Sequence, residues 1–75
     1  MTSLLDQIKT ITRLQLGLAD ISADAQLAAE LGAESVDIVN IVAVIEEEFN
    51  VFIPEEELAS IATVADLAAL VQQYR

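Results

Sequence analysis

The run SVDIVNIVAVIEEEF, residues 35 to 49, constrains the fold more than any other stretch of this chain. It is crowded with Val and Ile, whose β-branched side chains ordinarily favour strands. Its apolar residues nevertheless do not alternate. At about 100° per residue, Ile38, Ile41, Val42, Ile45 and Phe49 fall on one stripe, and the run is longer than a usual strand, so the helical period prevails. The pattern predicts a helix that ends near Asn50.

The flanking segments assemble around that helix. Leu4, Leu5, Ile8, Ile11 and Leu14 follow the three-four spacing of one helical face, with Ser3 as a cap and Asp6 where the helix dipole favours a negative charge. Gly17 breaks this pattern. From Gly17 to Glu34 the chain reads as a long loop in which Leu18, Ile21, Leu27 and Leu31 are pegs fastening it to a core. So long a loop in a small domain is often functional. Pro54 followed by EEEL predicts a short helix with Pro at its first position. In TVADLAALVQQY, Thr63 caps and Asp66 takes the acid position of a capping box. Val64, Leu67, Ala68, Val71 and Tyr74 form that helix's inward face. The expected class is all-α: a small bundle of three main helices and one short one, with a long loop after the first, in a single domain over residues 1–75.

Composition narrows the chemistry. A chain of 75 residues has room for one core and no separate catalytic lobe. Cys, His and Trp are absent, which removes disulfides, imidazole bases and structural zinc of the usual kind. Lys9, Arg13 and Arg75 face thirteen acids for a net charge of -10, so nucleic acid and anionic membranes are repelled and basic protein surfaces attracted. The apolar fraction of 55% is too high for a disordered acidic tail. The run IVAVI at 41–45 is too short to span a bilayer, and no signal-like segment follows Met1, so a cytoplasmic location without membrane insertion is expected.

Ser35 lies between Glu34 and Asp37 with the apolar helix behind it. A serine nucleophile needs a base within reach, and this chain has no His and a lone Lys9 in another helix, so it is not expected to be an enzyme. Glu34 and Asp37 read as acids at a helix start rather than as an acid/base pair. No EF-hand pattern occurs, and the runs Glu46–Glu48 and Glu55–Glu57 read as exposed helix faces, so no metal site is expected. Spacing alone makes Ser35 a helix N-cap. The far side of its helix disturbs that simple reading, because Val36, Asn40, Ala43 and Glu47 point away from the core stripe, with Val39 and Val44 on its borders. Exposed valines beside acids suggest a surface meant for a partner.

The stretch LGAESVDIVNIVAVIEEEFNVFIP resembles the heart of the acyl carrier proteins, which read approximately L-G-x-D-S-L-D, then an apolar helix, then E-E-E-F and I-P. The likeness extends to the closing IATVADLAALV. It implies that a phosphopantetheinyl transferase attaches 4'-phosphopantetheine from coenzyme A to Ser35, and that acyl groups ride on the arm's thiol as thioesters. The missing Cys then makes sense, since the working sulfur is imported. The same resemblance makes Glu46 and Glu47 acids that dock basic enzymes. Taken with the outer face of the helix, the expected docking residues are Glu34, Val36, Asp37, Asn40, Ala43, Glu46 and Glu47, the expected partners are acyl-transferring, ligase or synthase enzymes of fatty-acid, polyketide or related biosynthesis, and a monomer is expected. Glu34 and Val36 stand where the family commonly has Asp and Leu, and Asn40 where fatty-acid carriers commonly have Glu, departures that bear on which transferase acts and leave both general fatty-acid synthesis and a dedicated pathway open. The competing expectation is an unmodified acidic helical protein that binds a basic partner, with Ser35 as cap only.

Overall fold

The computed structural model describes residues 2–75. Three α-helices, α1 (Leu4–Leu16), α2 (Ser35–Phe49) and α3 (Val64–Tyr74), and one short 3₁₀ helix (Glu55–Ser60) follow in that order. The all-α expectation holds, including the long connection between α1 and α2.

α1 starts where Ser3 accepts the Asp6 N–H at 3.1 Å and stops at Gly17, whose φ of 70° closes the helix in the left-handed region. Ile8 is fully buried, while Leu4, Leu5, Ile11 and Leu16 lean on the core. Leu14 departs from its expected place, for it is 63% exposed. The inward stripe steps by four from Ile8 through Thr12 to Leu16, so a threonine occupies the core position instead. Its Oγ1 has no hydrogen-bond partner among the described residues.

The loop over residues 17–34 is held by apolar pegs and by backbone bonds to the start of α3. Leu27 and Ile21 are buried and Leu18 and Leu31 pack against the core, as their spacing predicts; Ala25 and Ala33 are buried with them. The Leu27 N–H donates to Ala62 O at 2.8 Å, the Ala65 N–H to Ala23 O at 3.1 Å, and Gln26 and Thr63 form an isolated antiparallel bridge. The loop is thus stitched to α3 as well as plugged into the core.

α2 follows the predicted stripe, with Ile41, Val42 and Ile45 buried and Ile38 and Phe49 packed against them. It ends at Asn50, whose φ of 54° is tolerated by Asn better than by most residues. Pro54 stands just before the first residue of the 3₁₀ helix rather than inside it. α3 has the anticipated capping box. Thr63 Oγ1 accepts the Asp66 N–H at 3.2 Å, and Asp66 Oδ2 accepts the N–H groups of Ala62 and Thr63 at 2.8 and 3.0 Å. Those two backbone donors hold the Asp66 carboxyl below its ordinary value. Val64, Leu67 and Val71 face inward with Ala68 beside them. Tyr74, expected on that face, lies at the rim, and Leu70 fills the inner position. The Tyr74 hydroxyl donates to Glu57 Oε2 at 2.8 Å, and this bond to a carboxylate raises its pKa. The Arg75 guanidinium lies 5.9 Å from the Phe49 ring centroid. Among the described residues no helix is long and apolar enough to cross a membrane.

A candidate attachment site at the start of α2

The backbone enters α2 through Glu34, which is extended at φ -94° and ψ 171°. Asp37 Oδ2 reaches back to accept the Glu34 N–H at 2.8 Å, and Glu34 O accepts the Ile38 N–H at 3.1 Å. Glu34 is therefore the N-cap and Ser35 the first helical residue, one position later than its spacing predicts. Asp at the third helical position supplies the acid of a capping box, so the frame shifts although Ser is the better capping residue in isolation. Ser35 is exposed, and its hydroxyl makes no hydrogen bond to the described residues.

Ser35 opens onto a cleft of about 300 Å³ lined by Ser35, Ile38, Val39, Glu55, Leu58 and Ala59. One wall is the first two turns of α2. The other is the 3₁₀ helix, which has no buried residue and rests on the core through half-buried Leu58. Helix α2 carries four acids and no cation, whereas Lys9 and Arg13 sit around a separate hollow on α1 with Asp6, Thr10, Asp20 and Ile21. The positive end of the α2 dipole at Ser35 is thus the nearest favourable potential for an anion on that helix, opposed by Glu34 and Asp37.

The outer face of α2 is arranged as its periodicity predicts. Val36 and Val39 are 57% and 50% exposed, Asn40, Ala43 and Glu47 are exposed, and Val44 is half-buried. Glu46 differs, for it is half-buried and its Oε2 accepts the Ile53 N–H at 2.8 Å, bracing the turn after the helix. This contact joins residues seven apart across a change of direction, and no local sequence signal marks it. Among the described residues no cluster of three or more His, Cys, Asp or Glu is placed to hold a metal ion.

Residues 6–71 match the family model described as the phosphopantetheine attachment site, and the acyl carrier protein of Wolinella succinogenes is 35% identical over 72 residues, covering 93% of this chain and 95% of that one. The chain belongs to the acyl carrier protein family. The acyl carrier protein of Akkermansia muciniphila is 34% identical over 75 residues, covering 97% of this chain and 94% of its own. A crystal structure of the Thermotoga maritima acyl carrier protein superimposes with a TM-score of 0.79 at 27% identity, over 95% of this chain and 85% of that chain.

Acyl carrier proteins are carriers rather than enzymes, they bear phosphopantetheine, and their partners are phosphopantetheinyl transferases and acyl-handling enzymes. The competing expectation of an unmodified interaction protein is not supported. The residues present fit the group: an exposed, unbonded hydroxyl stands at a helix start, beside a cleft lined by Ile38, Val39, Leu58 and Ala59 together with Glu55.

Proposed function

We propose that Ser35 is the residue to which the arm is attached, and that the protein presents acyl groups on it to successive enzymes of fatty-acid, polyketide or related biosynthesis. The observation that carries this reading is the freedom of the Ser35 hydroxyl, which is exposed and has no capping duty. When bound, the arm supplies a terminal thiol that holds acyl groups as thioesters. Asp37 is occupied by the Glu34 N–H and no His or Lys stands nearby in the sequence, so the base that takes the Ser35 proton belongs to the transferase. Glu34, Val36, Asp37, Asn40, Ala43 and Glu47 form the docking face, in which valines supply apolar contact and carboxylates meet basic enzymes. Glu46 contributes by shaping the turn beyond it. A net charge of -10 favours a monomer, and we place the protein in the cytoplasm.

Intact-mass measurement after incubation with coenzyme A and a broad-specificity phosphopantetheinyl transferase tests the assignment. One arm should be gained by the parent and none by Ser35→Ala. Ser35→Thr, with a more crowded hydroxyl, should fold like the parent and gain the arm poorly. Gain that maps to Ser3, Ser22 or Ser60 would refute it.

A further inference from the structure

Phe52 is 73% exposed, more than any other large hydrophobic residue among those described. A single exposed apolar side chain ordinarily needs no explanation. This one is held outward by its neighbours. The N–H groups of Asn50 and Val51 both donate to Glu46 O, the latter at 3.2 Å, while the Glu46 side chain accepts the Ile53 N–H at 2.8 Å. Ile53 is 3% exposed and Val51 packs against the core, so the segment alternates and the residue between them must project. Pro54, at φ -57°, limits the backbone on the far side. One glutamate and one proline therefore keep the segment from slipping by a residue, which would turn Phe52 inward.

Four exposed carboxylates flank this phenylalanine along the chain: Glu47 and Glu48 before it, Glu55 and Glu56 after it. The acids on either side that are engaged, Glu46 and Glu57, are bonded to the Ile53 N–H and the Tyr74 hydroxyl. A pre-positioned aromatic side chain with few rotatable bonds, bordered by like charge, has the form of an interface anchor within a polar rim. The rim is of one sign, which selects a basic partner. It also disfavours a second copy of this chain, since each carries a charge of -10, and an anionic lipid surface.

We propose that Phe52 anchors a second docking surface, at the end of α2 remote from Ser35, and that its occupant is an acyl-handling enzyme offering an apolar pocket rimmed by Lys and Arg. This rests on the carrier reading given above. Helix α2 has 15 residues and so spans about 22 Å from the attachment serine to its far end, and Phe52 lies three residues beyond that end. Glu55, in the rim around Phe52, also lines the cleft beside Ser35, so a partner gripping Phe52 borders that cleft and is held within reach of the arm. Phe52 is thus a specificity residue outside the lining of that cleft.

The test places the photo-crosslinking residue p-benzoylphenylalanine at position 52 of the arm-bearing protein and irradiates it in an extract of the source cells. The crosslinked partner is then purified, and its affinity is measured for the parent, Phe52→Ser and Phe52→Tyr. The crosslinked peptide should contain apolar residues flanked by Lys or Arg. Phe52→Ser should weaken binding roughly tenfold or more, Phe52→Tyr should retain most of it, and added salt should weaken the parent. Melting temperature and mass gain at Ser35 should be unchanged in both variants. Crosslinks only to further copies of this chain, no crosslink at all, or a partner that binds Phe52→Ser as tightly as the parent would overturn the proposal. Loss of mass gain in the parent is the separate failure that would refute the carrier reading.

Discussion

Residues 17–34 and residues 55–60 invert the usual relation between regularity and fastening. The first segment is almost wholly irregular, yet it buries Ile21, Ala25, Leu27 and Ala33 and is stitched to the start of α3. The second is helical, yet it buries no residue fully. Local hydrogen bonding and tertiary attachment are separate quantities, and resistance to local opening follows the second. The site benefits from both. Its Glu34 side is carried on the tightly held loop, while the opposite wall of the cleft is the element best able to yield when something enters.

Replacing one apolar residue in each region gives the largest test. Leu27→Ala empties a fully buried position and should cost about 2–5 kcal/mol, a large share of the stability of so small a domain. Leu58→Ala in the half-buried 3₁₀ helix should cost about 1 kcal/mol. Urea unfolding of the two variants beside the parent decides the order. A reversed order would make the short helix, and not the loop, the structural staple.

The junction on which the loop hangs should give a smaller effect. Thr63→Ala removes the α3 cap and should cost about 1 kcal/mol in the same assay. Asp66→Asn sharpens this through pH. The folded pKa of Asp66 is depressed by the Ala62 and Thr63 N–H groups, so its stabilisation is complete above the unfolded pKa near 4 and is lost as pH falls through the folded value. Acid also relieves repulsion among the other carboxylates, so the useful quantity is the difference between parent and variant. Thermal melts should show that difference widest near neutral pH and closing below about pH 4. A gap that is constant with pH would mean that these two bonds do not depend on the charge.

The smallest effect belongs to Ser35, where the loop ends and the cleft begins. Ser35→Ala should leave stability within about 0.5 kcal/mol of the parent, because Glu34 and Asp37 close the helix without it. A loss near 1 kcal/mol or more, seen by urea unfolding, would return the capping role to Ser35 and weaken the separation between site and scaffold.

What the sequence discloses follows what is local. The α2 stripe, its end near Asn50, the Ser3 cap and the Thr63–Asp66 box all depend on residues a few positions apart, and all are visible in the string. The loop pegs are legible too, since isolated leucines and isoleucines among Gly, Asp and Ser have few other uses. Helix ends are less legible. Leu14 and Tyr74 continue their periodic faces, but each lies in the last turn of its helix and is solvent-exposed or at the rim. Thr12 shows the converse, a polar residue carried inward by its position. The one-residue shift at Ser35 arises because two capping frames compete, and the Asp37 carboxylate decides for Glu34. The bond from the Ile53 N–H to Glu46 could not be found from spacing, since it depends on how the chain turns after Asn50.

The start of α2 divides two duties between adjacent residues. Glu34 and Asp37 form the joint, and Ser35 beside them is the bracket. A joint built without the bracket is indifferent to whatever hangs from it. In the proposed role, bare, armed and laden forms would therefore share the same helix start, and the joint itself would not announce the load. Sorting among them falls to whatever touches the arm itself or the yielding wall of the cleft beside it.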